Sequence, residues 1–334
     1  MHAVNSDMKV AFFSSQPYDI EYFNRYNKHH EFIFHEASLQ EHTINLAEGC
    51  EAICVFVNDK VTANVIKQLS ARGVKAVVLR CAGYNNVDLE AAKSAGLQVM
   101  RVPAYSPYAV AEHTVALILT LNRKTHKAYN RVREGNFSLD RLIGFDLNKK
   151  VVGVIGMGKI GEVFAKIMIG FGCKVMAYDI HADPQMVTLG VTYVNLEELL
   201  GNADIVSLHC PLTDQTRHII NTANIARMKT GVMLINTGRG ALVDTLAVVE
   251  ALKSGKIGYL GLDVYEQEEN LFFRDLSENI IADDTIMRLM SFPNVLITAH
   301  QAFFTDEALS KIATVTLQNL DHIETGETSE NNVI

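Results

Sequence analysis

The stretch Val151-Val152-Gly153-Val154-Ile155-Gly156-Met157-Gly158-Lys159-Ile160-Gly161 most constrains this chain, because an apolar run passes directly into G-x-G-x-x-G. The next apolar run, Lys174-Val175-Met176-Ala177-Tyr178, ends in Asp179. A buried strand, a glycine turn opening a helix and an acid about 20 residues on form a dinucleotide-binding fingerprint. Glycines let the backbone approach a pyrophosphate, and the helix start aims N–H groups and a positive dipole end at it. Gly156, Gly158 and Gly161 are therefore the expected phosphate-side positions, with Asp179 accepting the ribose hydroxyls of an adenosine. An NADP 2′-phosphate would lie against Asp179, and Ile180-His181-Ala182 offers no arginine to offset it. Like charges about 4 Å apart cost on the order of 1 kcal/mol even in water. NAD is the expected cofactor.

A chain of 334 residues is long enough for two domains with separate cores. Hydrophobic residues at 48% and charged residues at 20% give a globular profile. A net charge of −8 argues against a nucleic-acid partner, which needs clustered Lys and Arg. The basic cluster Asn122-Arg123-Lys124-Thr125-His126-Lys127 reads as the solvated end of a helix. The densest apolar run, Val115-Ala116-Leu117-Ile118-Leu119, stops far short of the ~20 residues that span a membrane. The polar start Met1-His2-Ala3-Val4-Asn5-Ser6-Asp7 lacks the layout of a secretion signal. Cys50, Cys54, Cys81, Cys173 and Cys210 are odd in number and scattered, which indicates no disulfide framework. No second Cys/His pair joins Cys50 and Cys54 in a zinc site, so no metal is expected. The expectation is a reduced, cytoplasmic protein.

Short β-rich runs alternate with helix-like stretches throughout, the pattern of an α/β protein with parallel sheets. In the first part the runs cover residues 9–13, 52–57, 76–79 and 97–100, with helices over 63–72 and 89–95. In the second they begin at Val151, Lys174, Val191, Asp204, Gly231, Tyr259 and Asn294. Val102-Pro103-Ala104-Tyr105-Ser106-Pro107 marks a join, followed by one long helical stretch over 108–133. A final helix is expected over 305–323, where Ala308, Ile312, Val315, Leu317 and Leu320 recur at helical spacing. The predicted architecture is two doubly wound domains. A Rossmann NAD-binding domain, 104–303, is inserted into a discontinuous flavodoxin-like substrate domain, 1–103 and 304–334.

Ligands in open α/β sheets gather outside the carboxyl ends of strands. There the second part carries His209-Cys210-Pro211, Asn236-Thr237-Gly238-Arg239-Gly240, Asp263 and Ala299-His300. An arginine, an acid and a histidine thus come to one rim from different strands. His209, beside Pro211, reads as a backbone contact to the cofactor. His2, His29, His30, His42, His126 and His322 read as structural or exposed. Glu268 stands in the acidic run Glu266-Gln267-Glu268-Glu269, which by itself reads equally well as solvated charge.

These motifs, together with Arg80-Cys81-Ala82-Gly83-Tyr84-Asn85-Asn86-Val87-Asp88 and Asp263-Val264-Tyr265-Glu266-Gln267-Glu268, resemble the D-2-hydroxyacid dehydrogenase family over essentially the whole chain. Within it the chain is most similar to the NAD-dependent fermentative D-lactate dehydrogenases. The resemblance implies a catalytic set of Arg239, Glu268 and His300 for hydride transfer between NADH and pyruvate. Arg239 would hold the substrate carboxylate, His300 would donate the proton, and Glu268 would orient the imidazole and favour its charged form. It implies cofactor contacts at Lys159, Ile160, Asp179, Cys210, Pro211, Thr216, Thr237, Gly238, Arg239 and Asp263, the last to the nicotinamide carboxamide. From the other domain, the amides of Ala82 and Gly83 would grip the carboxylate, with Tyr105 and Phe303 beside the substrate. Phe303 replaces a tyrosine of some relatives. The acidic and aromatic segment 270–290 reads equally well as a flap over a small side chain, which would fit pyruvate, or as a plain surface insertion. A branched-acid enzyme of the 2-hydroxyisocaproate type is the alternative, and an NAD-sensing corepressor the distant one. A homodimer or homotetramer is implied.

Overall fold

A computed structural model describes residues 7–334. The chain divides into two compact units, residues 1–106 with 304–334 and residues 107–303. The first begins with β1 (Lys9–Phe12), α1 (Pro17–Tyr26), β2 (Glu31–Phe34), β3 (Ala52–Val55), α2 (Ala63–Ala71), β4 (Ala76–Leu79), α3 (Leu89–Ser94) and β5 (Gln98–Met100). The second holds α4 (Pro107–Arg123), α5 (Thr125–Arg133), β6 (Val151–Ile155), α6 (Lys159–Gly170), β7 (Lys174–Tyr178), α7 (Pro184–Thr188), β8 (Thr192–Tyr193), α8 (Leu196–Asn202) and β9 (Ile205–Leu208). It continues with α9 (Thr222–Arg227), β10 (Val232–Asn236), α10 (Thr245–Lys253), β11 (Ile257–Leu262), α11 (Asp284–Ser291) and β12 (Val295–Ile297). The chain then returns to the first unit as α12 (Asp306–Thr325).

Both sheets are parallel and doubly wound. The first runs β2-β1-β3-β4-β5, the flavodoxin-like order. Val10, Phe12, Cys54 and Val78 meet Ala313, Leu317 and Leu320 of α12 in one core. That helix has a legible start and stop: Thr305 caps the Ala308 amide, and Gly326 ends it at φ = 71°. The second sheet runs β12-β11-β10-β9-β6-β7-β8, so the strand order reverses between β6 and β9. Val152 and Val154 pack under α4 and α6, whereas Ile155, Val206, Leu208 and Leu234 pack with α8 and α10 on the other face. A strand covered on both sides needs apolar residues at both parities, which is why these runs are continuously hydrophobic.

Four local expectations are corrected. The helix over 108–133 is two helices, broken at Lys124, which adopts φ = 53°. α4 buries a long stripe and α5 buries no residue, so an averaged periodicity hides a one-residue break. Asn122 is not a solvated helix end but 1% exposed; its side chain bonds both the amide and the carbonyl of Phe145. The edge strand β2 was absent from the predicted runs. Its Phe32 and Phe34 join Phe12 and Phe23 in an aromatic cluster that only the pairing with β1 assembles. Finally, the segment 270–290 is not one flap, since Phe272 and the α11 residues Ile286 and Leu289 enter the core.

Candidate active site

The turn after β6 is shaped for a dinucleotide, and its three glycines have different reasons. Gly156 has φ = 95°, and a β-carbon there would run into the Cys210 backbone. One on Gly161 would run into the Gly156 carbonyl. Gly158, the N-cap of the twelve-residue α6, faces open space, with nothing within 4 Å of its β-carbon position. Protein packing thus explains two glycines, and the third leaves room at a helix start where a pyrophosphate fits. Lys159 and Ile160 open α6. Asp179 accepts the Met157 amide at 2.6 Å and the His181 amide at 3.2 Å, which ties the acid to the glycine turn.

Loops from neighbouring strands complete this rim. Cys210 and Pro211 follow β9, and burial first, with the Asp179 charge adding to it, pushes the Cys210 thiol up to about 11. Thr216 staples this loop, donating to the Pro211 carbonyl at 2.6 Å and accepting the Thr213 amide at 2.8 Å. Thr237 turns its hydroxyl to Thr114 of α4, 2.8 Å away. Asn236 accepts the Gly238 amide and donates to the Arg239 carbonyl, fixing the turn that presents Arg239. The Arg239 guanidinium donates to the Gly238 carbonyl at 2.8 Å, and no carboxylate pairs with it among the described residues. A β-carbon on Gly240 would run into the Tyr265 carbonyl, so this turn packs directly on the loop that carries Glu268.

His300, just after β12, adopts φ = 52°, a left-handed conformation that costs a histidine about 1–3 kcal/mol. Two bonds hold it there. Its amide donates to the Asp263 carbonyl at 2.7 Å, and its Nδ1 lies 2.7 Å from Glu268 Oε1. Glu268 Oε2 accepts the Tyr265 amide at 3.0 Å. The Phe273 ring lies 5.8 Å from the imidazole, centroid to centroid. Asp263, fully buried after β11, accepts from the Thr298 hydroxyl and the Gln301 amide on one oxygen and from the Ala302 amide on the other. Burial alone would raise its carboxyl, but His113, Thr298, His300 and Ala302 together hold it below the ordinary range. Its side chain therefore sets the His300 loop, which the sequence reading, with its carboxamide contact, did not foresee.

In the first unit Ala82 and Gly83 follow β4, and Tyr105 follows β5. The Ala82 carbonyl accepts from Arg101 at 2.9 Å and the Gly83 carbonyl from the Cys81 thiol, while neither amide has a partner among the described residues.

Comparison with known proteins gives the family of the chain. The family model for the NAD binding domain of D-isomer specific 2-hydroxyacid dehydrogenases matches residues 115–302. The chain is 53% identical to 2-hydroxyacid dehydrogenase A of Aspergillus oryzae, covering 98% of this chain and 95% of that one. It is 50% identical to D-lactate dehydrogenase of Escherichia coli, covering 98% and 100%. Among solved structures, D-lactate dehydrogenase from Aquifex aeolicus complexed with NAD and lactic acid matches with a TM-score of 0.86 at 36% identity, covering 97% and 98%. The chain belongs to the D-isomer specific 2-hydroxyacid dehydrogenases. Like the rest of that family it is an NAD-dependent enzyme.

Two organising groups of this dehydrogenase were not singled out from sequence. His113 of α4 lies 3.0 Å from the Thr298 hydroxyl and 3.4 Å from Asp263, and nothing in its helical spacing marks it. Arg80, quoted only as part of a motif, is 2% exposed. It lies between the Phe12 and Phe56 rings, contacts Asp19, and donates to the Ser14 carbonyl. Asp59 beside it accepts the Leu39 and Phe56 amides, so the two residues knit the strand-end loops of the first unit. His209, which bonds Ser207 and lies tilted against the Phe164 ring, is pushed down to about 3 by burial and stays neutral.

Proposed function

We propose that this dehydrogenase reduces pyruvate to D-lactate and runs reversibly, with Arg239, Glu268 and His300 as its catalytic residues. The observation that carries the reading is the His300–Glu268 contact of 2.7 Å, together with an arginine after the neighbouring strand that has no carboxylate partner among the described residues. The three residues follow β12, β11 and β10, which are adjacent in the sheet. An ionised carboxylate only accepts, so the Nδ1–H of His300 donates to Glu268, which leaves Nε2 for the substrate. His300 then gives its Nε2 proton to the keto oxygen and recovers it when lactate is oxidised. Arg239 offers a planar, permanently charged fork to the substrate carboxylate and polarises the keto group. NADH, when bound at Gly156, Gly158, Asp179 and the loops after β9 and β10, supplies the hydride that reduces the keto carbon.

The partnerless amides of Ala82 and Gly83 are donors of the kind a carboxylate takes. Tyr105 and Phe303 are assigned to the substrate's apolar side on the family resemblance. Phe273, whose ring lies tilted beside the His300 imidazole, supports a small substrate side chain over a branched one. A homo-oligomer is supported by Phe137, Leu139 and Ile143, which stand 75%, 82% and 85% exposed in one segment. A reducing, cytoplasmic setting is supported by the absence of a disulfide among the described cysteines.

The test is NADH consumption across 2-keto acids, with chiral analysis of the product. Pyruvate should give the highest kcat/KM and yield D-lactate, and NADPH should serve poorly. A higher kcat/KM with 2-ketoisocaproate would favour the branched-acid reading, and L-lactate as product would refute the proposal.

A further inference from the structure

Away from this rim, in the first unit, four side chains able to bind metal converge. His29 and His30 stand in the turn between α1 and β2, and Asp321 and Glu324 lie one turn apart near the end of α12. Their ligand atoms all lie within 4.8 Å of one another. His29 Nε2 is 3.2 Å from Asp321 Oδ1 and 3.6 Å from Glu324 Oε2, and His30 Nε2 is 3.2 Å from the same Asp321 oxygen. Ligands about 2.0–2.2 Å from a tetrahedral ion stand roughly 3.3–3.6 Å apart. Three separations are therefore already at ligand spacing.

The nitrogens show that protein alone does not complete this arrangement. His29 Nε2 is buried and makes no hydrogen bond, although two carboxylate oxygens lie nearby. The His30 side chain is 1% exposed. Its backbone is clamped, with Asn27 donating to the His30 carbonyl and accepting the His30 amide. The two imidazole centroids are 4.1 Å apart. A cavity of about 260 Å³, lined by Tyr26, Gln318 and Asp321 as well as both histidines, provides an approach.

We infer that His29, His30, Asp321 and Glu324 bind one divalent transition-metal ion of the zinc type. Two imidazoles with two carboxylates suit zinc, cobalt or nickel, whereas magnesium and calcium prefer all-oxygen sets. The ion would fasten the α1–β2 turn to α12, the segment with which the chain returns to its first unit.

The test uses the full-length enzyme stripped of metal and titrated with Co²⁺ and then Zn²⁺. One Co²⁺ per chain should bind with the strong visible absorption of four-coordinate cobalt, be displaced by Zn²⁺, and be accompanied by a rise in Tm. His29→Gln and Glu324→Gln should each weaken binding at least ~10-fold, since even outer-shell losses cost that much. Both should keep wild-type kcat/KM for pyruvate without metal. Equal Co²⁺ affinity in wild type and both variants would overturn the site. So would the faint spectrum of hydrated cobalt, or thiolate charge-transfer absorption that puts the ion on a cysteine.

Discussion

Glu268 grips His300 with one carboxylate oxygen and its own loop with the other. Oε1 lies 2.7 Å from His300 Nδ1, and Oε2 accepts the Tyr265 amide at 3.0 Å. An acid anchored in this way cannot swing off the imidazole, so its charge acts at a fixed distance. Glu268→Gln removes that charge while keeping the shape. The imidazole then loses its charged anchor, and kcat for pyruvate reduction should fall roughly 10-fold or more while NADH affinity stays unchanged. Unchanged kcat would make Glu268 a solvated charge.

Replacement of His300 by Ala deletes the proton donor and leaves the left-handed backbone strain in place, since alanine keeps the β-carbon. A general acid typically contributes roughly 10²–10⁴-fold, and kcat should fall by that factor while NADH affinity changes little. Cofactor titration by fluorescence alongside turnover separates the two. Undiminished turnover would exclude the role.

Arg239→Lys keeps the charge and loses the fork. Lysine cannot bond a carboxylate bidentately, so KM for pyruvate should rise and kcat fall together. Steady-state kinetics with unchanged parameters would remove Arg239 from the site.

Asp204 offers a stability test away from the chemistry. It accepts the Val151 amide at 2.9 Å at the start of β6 and pairs with Lys229 at 2.9 Å. Burial alone would raise its carboxyl, yet the Val151 bond and the lysine bring it below the ordinary range. A depressed folded value means that this stability is present above the unfolded pKa of ~3.9 and lost as pH falls through the folded one. The site is largely solvated, so Asp204→Asn should cost about 1 kcal/mol or less at pH 7. Urea unfolding should show that difference closing in acid; a gap that persists at low pH would show that the charge is not its source.

Much of the fold was legible because its strands are buried on both faces and read as continuous apolar runs, while Thr305 and Gly326 punctuate α12 chemically. The glycine turn was legible for a similar reason, since Gly156 and Gly161 answer local steric demands and Gly158 leaves a helix start open. Candidates for chemistry could be named because parallel sheets bring strand ends to one rim; their order along the chain is enough to nominate Arg239 and His300. Glu268 was ambiguous within an acidic run until its distance to His300 was known.

Sequence alone determined which segments other than the edge strand β2 become strands, which turn is built for a phosphate, and where cations and acids leave the sheet, because those are nearest-neighbour properties of the backbone. Only tertiary structure decided what each polar group does with its neighbours. Asp263 is turned to the His300 loop, Arg80 is buried between two phenylalanines, and His29 and His30 meet carboxylates nearly three hundred residues away. Such partners share no spacing, and desolvation makes their pairing obligatory only after the fold has brought them together.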